Sequence, residues 1–166
     1  MAKGSKDRKS KAETDGGGPR IVNRRARHEY HVLESLEVGI QLTGSEVKSV
    51  RAGQVSLAEG YARVEPDMQL WLYQVDIAPY PQAGANNHEP KRRRKLLAHK
   101  RQILKLQGLT SAKGATLVPL TLYFVRGRAK IELGVVRGKQ AHDKRQTLKE
   151  KDASREIRRA MTRKVI

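Results

Sequence analysis

Short apolar segments with period-2 alternation, turn residues between them and one or two stretches of helical periodicity predict a mainly β protein with flanking α structure. The clearest strand signal is a hairpin in which Leu120, Leu122 and Phe124 alternate on one segment and Ile131, Leu133 and Val135 on the next, with Arg126, Gly127 and Arg128 at the turn. Several short antiparallel strands with helices packed on them point to a small closed or partly closed barrel. The leading candidate is an oligonucleotide-binding (OB-fold) barrel with two to three helices and a basic C-terminal tail. Strand order is not contained in this pattern.

The chain has 166 residues, enough for one domain with appendages. Thirty-five Lys and Arg against seventeen Asp and Glu give a formal net charge of +18, well beyond the ~2 to 8 recommended for solubility alone. The surplus implies an anionic partner. Nucleic acid outranks a membrane, because no apolar run approaches the roughly 20 residues that span a bilayer and no secretory h-region follows the polar N terminus. A cytoplasmic location is expected. The absence of cysteine excludes disulfides and thiolate zinc sites. No carboxylate pair with a histidine, metal cluster or nucleophile with a base stands out, so the expectation is a non-enzyme with no metal and no cofactor.

In chain order, residues 1–19 are rich in Lys, Ser, Asp and Gly without periodicity and are expected to be a disordered arm. Gly16, Gly17 and Gly18 do not open a phosphate loop, since Pro19 follows and no G-K-[ST] ending is present. Residues 20–138 are expected to form the RNA-binding body and 139–166 the tail. In IVNRRARHEYH, from Ile21 to His31, the cluster Asn23, Arg24, Arg25, Arg27 and His28 suits phosphate or sugar contacts, or a solvated domain edge. His28 and His31 lack a second ligand pair for zinc. Tyr30, Val32, Val38, Ile40 and Leu42 predict two short strands broken near Glu34 to Glu37. Glu37, an acid in a basic protein, is either a surface ion-pair partner or an acceptor for base amino and ribose hydroxyl groups. Thr43 and Glu46 have capping-box spacing for a helix through Arg51, with Gly53 placed to stop it.

Tyr61 to Val64 and Met68 to Ile77 read as a hairpin turning at Glu65, Pro66 and Asp67, with Trp71, Tyr73, Val75 and Ile77 on one face. Aromatics on a sheet can stack on bases, but the chain has seven and the core is expected to take most of them. Pro79 to Pro90 is a loop ending in the consecutive cations Lys91, Arg92, Arg93, Arg94 and Lys95. Such a run repels itself unless phosphates relieve it, and it reads equally as a solvated loop. A helix from Leu96 to Gln107 is expected to turn Leu96, Ile103 and Leu104 inward and to end at Gly108, leaving Leu97 and His99 off its main face. Pro119 belongs near an edge or bulge.

Beyond Gly138 apolar surface is scarce. A helix from about Leu148 has only the narrow stripe Ala153, Ile157, Ala160, Met161 and Val165, too little to offset an ordering cost of roughly 1 to 2 kcal/mol per residue. Thr147 and Glu150 have capping-box spacing, and Arg158, Arg159, Arg163 and Lys164 suit the negative end of the helix dipole. The tail is therefore expected to be disordered when free and helical against a polyanion.

The blocks NRRARHEY, LTGSEVKSVRAG, RKLLAHK, LVPLTLYF, KIELGVVRGK and HDKR-x3-KEKD-x2-REI-x-RAM occur in the order and spacing of one family. From Ile21 to Arg163 the chain resembles the SsrA-binding protein (small protein B) family, the partners of transfer-messenger RNA. The resemblance implies an OB-fold body that grips the tRNA-like domain of that RNA and stands in for its missing anticodon arm during trans-translation. It implies a tail that enters the 16S rRNA decoding centre and the empty mRNA channel of the 70S ribosome, and an alanyl-charged RNA carried with elongation factor Tu.

Position by position, the resemblance puts the RNA surface on Glu37, Leu97 and His99, with Asn23, Arg25 and His28 of the NRRARH block facing or supporting it. Arg94 and Lys95, heading RKLLAHK, are expected phosphate contacts. Arg137 and Lys139 lead into a decoding-centre segment of His142, Asp143, Lys144 and Arg145, and the channel helix falls on Lys149, Lys151, Asp152, Ile157 and Met161. Departures from the family pattern are Ala98, Gln140 and His31, which touch local affinity or exposure. The competing class is a structural ribosomal RNA-binding protein, which has no need of a tail separable from body binding.

Overall fold

Arg126 and Gly127 both adopt positive φ, 49° and 74°, the two-residue hairpin geometry whose twist matches that of the strands it joins. It connects β8 (Ala115–Val125) to β9 (Arg128–Gly138), which pair antiparallel from Val125 opposite Arg128 to Ala115 opposite Arg137. In the computed structural model, which describes residues 18–111, 114–140, 152–157 and 161, this hairpin anchors the barrel.

Around it come β1 (Ile21–Val22), α1 (Arg24–Glu29), β2 (Tyr30–Ile40), α2 (Gly44–Arg51), β3 (Val55–Ser56), β4 (Tyr61–Val64), β5 (Leu70–Tyr73), β6 (Asp76–Ile77), a 3-10 segment (Pro81–Asn86), β7 (Arg94–Leu97) and α3 (Lys100–Thr110). The main sheet has the order β1-β8-β4-β5-β7-β2-β9, and β9 pairs back onto β8, which closes the ring. β3 and β6 make a separate ribbon. The mainly β barrel with flanking helices is the class the sequence predicts.

Where the alternation is interrupted, the interruptions have visible causes. β2 is one long strand rather than two, because β9 runs beside it throughout; the irregularity is a register shift between Val32 and Glu34 that leaves Leu33 exposed. A second shift, between Pro119 and Thr121, lies where proline cannot supply a ladder donor. It moves the core face from Leu117 to Leu122 and Phe124, and sends Val118 and Leu120 into a small cluster with Ala26 and Val136 that seats α1. Gln74, at φ 55°, ends β5. Leu70 and Leu72 therefore face the core, Trp71 and Tyr73 face out, and Val75 and Ile77 do not share their face.

The expected helix from Leu96 is displaced. Residues 94–97 form β7, held between β5 and β2 by the pairs Trp71 with Lys95 and Gly39 with Leu97, so inter-strand hydrogen bonding outweighs local helix propensity. Leu96 is a core residue of a strand, and the helix starts after His99, whose N–H donates to Gln102 Oε1 at 2.9 Å. Its buried residues are Ile103 and Leu106, Leu104 is exposed, and the helix continues through Gly108 to Thr110.

α2 begins as its capping spacing predicts, with the Thr43 N–H donating to Glu46 Oε2 at 2.7 Å, and Gly53 at φ 75° follows its end. Glu46 then does more than cap. Its carboxylate, fully buried, accepts from Arg92 Nε at 2.8 Å and Nη2 at 2.5 Å and from Arg94 Nε at 2.8 Å. Arg94 is also fully buried and spends its other donors on the backbone oxygens of Val75 (2.6 Å), Pro90 (2.8 Å) and Arg92 (3.0 Å). The expected phosphate contact at Arg94 is thus corrected to an internal one: the side chain is fully buried and spends four of its five N–H donors inside the protein. Burial pushes the Glu46 carboxyl up, but hydrogen bonds from Arg92, the Thr43 N–H and Arg94 outweigh it and hold the group below its ordinary value.

Replacing Glu46 by Gln leaves the buried Arg94 charge uncompensated, and the urea midpoint should fall by the equivalent of roughly 3 to 5 kcal/mol. Because the folded-state pKa is depressed, this carboxylate's contribution is present above its unfolded value of about 4.3 and is lost as pH falls through the folded value. Acid titration of stability should therefore be steeper in the natural protein than in Glu46→Gln over that window.

Candidate nucleic-acid interface

Alternation along β2 turns Val38 and Ile40 into the core and leaves Glu37 and Gly39 on the outer surface. Gly39 lies opposite Leu97 of β7 on one side and Lys130 of β9 on the other. A Cβ at Gly39 would come within 3.2 Å of Leu97 Cβ, so the glycine keeps the floor open beneath that half-exposed leucine. His99 caps α3 two residues further on. The result is an open groove of about 420 Å³ in which Glu37, Gly39, Leu97, His99, Gln102 and Lys130 meet.

Glu37 has two partners. The Tyr123 hydroxyl donates to one carboxylate oxygen and Lys130 Nζ stands 3.4 Å from the other. The tyrosine hydrogen bond, helped by Lys130, holds the carboxyl below its ordinary range against the effect of partial burial. Burial and then the negative Glu37 push the Tyr123 phenol up, so the hydroxyl stays a donor. Arg20 lies 5.4 Å from the Tyr123 ring centroid. Glu37 is thus the ion-pair partner of Lys130, and its exposed carboxylate, with about four lone-pair sites, keeps capacity to accept further hydrogen bonds. An acceptor, an apolar ledge, an imidazole and a cation together can hold a base edge or ribose hydroxyl, a base face and a phosphate.

The remaining predicted residues divide. Lys95 points outward two positions before Leu97. Asn23 is buried: its Oδ1 accepts from the Ala26 N–H at 3.0 Å, and its Nδ2 donates to the oxygens of Leu57 (2.8 Å) and Pro119 (3.0 Å). It caps α1 and ties it to the barrel, so of the two roles expected for it only support is open. Arg25 is exposed, pairs with Glu29 at 3.0 Å and Glu59 at 3.9 Å, and lines a different depression. His28, half-buried, is on the same helix.

That helix also holds the root of the tail. The Lys139 N–H donates to the Glu29 oxygen at 2.9 Å and its Nζ lies 3.4 Å from the Arg27 oxygen, while Arg137 is exposed at the end of β9. Residues 152–157 and 161 are helical, with Asp152, Ile157 and Met161 exposed. His142, Asp143, Lys144, Arg145, Lys149 and Lys151 lie outside the described residues, as do residues 1–17 of the arm. Lys130 and Gln102, which line the groove, and Tyr123, which holds Glu37 from beside it, are residues that sequence reasoning missed. Their outward positions follow from alternation and helix period, but their meeting with Glu37 requires the β2–β9 and β2–β7 registers.

A family model described as "SmpB protein" matches residues 20–163. The SsrA-binding protein of Carboxydothermus hydrogenoformans is 55% identical over 139 residues, 84% of this chain and 93% of its own. That of Thermobifida fusca is 46% identical over 158 residues, 94% and 98% respectively. A solved chain from the structure described as "tmRNA-SmpB: a journey to the center of the bacterial ribosome" is 50% identical, with a TM-score of 0.65 over 75% of this chain and 87% of that one.

Tyr123→Phe removes the hydrogen bond that contributes most to the depressed Glu37 pKa. The Glu37 midpoint, followed by carboxyl carbon NMR through an acid titration, should rise toward the ordinary carboxylate value; an unmoved midpoint would assign the depression to Lys130 instead.

Proposed function

The chain belongs to the SmpB protein family, and from that membership we propose that it binds transfer-messenger RNA and delivers it to stalled ribosomes for trans-translation. The observation that carries this reading is the convergence of Glu37, Leu97 and His99, from β2, β7 and the start of α3, in one open groove. The partners named for its relatives, SsrA RNA and the bacterial ribosome, support it.

In this reading the barrel grips the tRNA-like domain and occupies the place of an anticodon arm. Glu37 accepts from base amino or ribose hydroxyl groups while Lys130 and Lys95 neutralise phosphates. The role is binding, without catalysis, in the cytoplasm, and the alanyl-charged RNA travels with elongation factor Tu.

The tail, residues 139–166, leaves the body where Lys139 is hydrogen-bonded to α1. His142, Asp143, Lys144 and Arg145 then reach the decoding centre, with imidazole stacking on an exposed base and the cations against rRNA phosphates. Lys149, Lys151, Asp152, Ile157 and Met161 follow as a helix in the vacant mRNA channel. The exposure of Ile157 and Met161 fits a helix whose apolar side is still to be covered.

Deleting the chain from Gln146 onward should leave transfer-messenger RNA affinity unchanged while abolishing peptide tagging in a stalled-ribosome assay. Loss of RNA affinity in the same variant would favour a ribosomal RNA-binding protein without separable parts. Glu37→Arg should weaken RNA binding although it adds positive charge; tighter binding would mean that bulk attraction governs the groove. Affinity should fall linearly in log salt, by ~0.7 per phosphate neutralised on single strands and ~0.9 on duplex.

A further inference from the structure

Seven aromatic residues in 166 are few, and burying them is the ordinary use of their large apolar area. Only Phe124 is fully buried. Three of the others stand together on the outer face of β4, β5 and β7. The β4–β5 register sets Tyr61 against Tyr73 and Arg63 against Trp71, and the β5–β7 register sets Trp71 against Lys95. The Tyr61 and Tyr73 rings stack with centroids 5.3 Å apart and planes 16° from parallel, and the Arg93 guanidinium lies 4.7 Å from the Trp71 centroid. Residues of the opposite parity, Ala62, Leu70, Leu72 and Leu96, fill the core, so the outward placement follows from the register.

Among the described residues, Glu65 is the acid tied to this face, accepting from the Tyr73 hydroxyl at 2.8 Å and lying 4.0 Å from Arg63. Arg63, Arg93 and Lys95 leave the balance positive. Aromatic faces beside cations match a strand of unpaired nucleotides, whose bases stack on rings of any sequence and whose phosphates need neutralising. A protein partner would have to bring acids to the cations and still cover the rings, whereas RNA supplies both complements in one repeating unit. The face is also continuous with the groove: Lys95 and Leu97 are successive outward residues of β7.

We propose that the β4–β5–β7 face binds unpaired nucleotides of the same transfer-messenger RNA whose folded part occupies the groove, with bases stacked on Trp71 and on the Tyr61–Tyr73 pair. This rests on the reading of the groove given above. Arg63, Arg93 and Lys95 take the flanking phosphates. A base arriving on Trp71 displaces the Arg93 guanidinium toward the adjacent phosphate.

Trp71 is the sole tryptophan, so the natural full-length chain reports on its own face. Transfer-messenger RNA is titrated in while binding is followed by gel shift and Trp71 by emission and acrylamide quenching. Emission and acrylamide access should both fall along the binding curve. Binding with both unchanged overturns this inference and leaves the function intact; absence of binding overturns both. A Trp71 response to ribosomes but not to the RNA assigns the face to ribosomal RNA and also overturns the proposal. In support, Trp71→Leu should weaken the complex roughly 5- to 150-fold, and Arg63→Gln with Arg93→Gln should lower the log–log salt slope by about 1.4. Retention of both natural values in folded variants would count against it.

Discussion

One fully buried carboxylate holds together the part of the barrel that carries the groove. Glu46 caps its own helix through the Thr43 N–H and receives Arg92 and Arg94 from a segment more than forty residues away. Arg94 passes the tie onward to the oxygens of Val75 and Pro90. Buried ion pairs seldom stabilise more than well-packed apolar groups would, because desolvation offsets the attraction. What this one does is define where β7 starts. A buried arginine with four of its five donors committed fits one register, and that register places Leu97 opposite Gly39 and His99 at the start of α3.

The groove is a consequence of the same registers rather than of local sequence. Its acidic member is held ionised by a tyrosine from β8 and a lysine from β9, so the acceptor is present with its charge and partly screened by Lys130. In a protein of net charge +18 such an acceptor contributes orientation. A carboxylate accepts hydrogen bonds, which the lysines and arginines around it cannot do.

Among the described residues, a charge count merges basic side chains of different structural kinds. The part-buried Arg92 and the fully buried Arg94 turn in to Glu46. Arg63, Arg93 and Lys95 frame the outward aromatics of β4, β5 and β7. Arg25, Arg27 and Lys139 gather about α1, where the tail departs, and Asn23 locks that helix to the barrel through Leu57 and Pro119. This separation sets the outward cations of β4, β5 and β7 apart from those beside α1, where β9 ends.

The hairpin around Arg126 and Gly127, the cap of α2, the stop at Gly53 and the irregularity at Pro119 were legible in the residues, because each depends on neighbours a few positions apart. So was the candidate trio Glu37, Leu97 and His99, through the order and spacing of its motif blocks. The helix expected at Leu96, the break expected in β2 and the phosphate contact expected at Arg94 were misread for one reason. In each, partners distant in the chain outbid local preference: β5 and β2 flanking β7, β9 alongside β2, Glu46 drawing two arginines inward. By itself the chain determined its fold class, its appetite for a polyanion and its family. Which charges are buried, which aromatics face water and which side chains share a groove were settled only by closure of the barrel, since strand register couples residues that no local pattern relates.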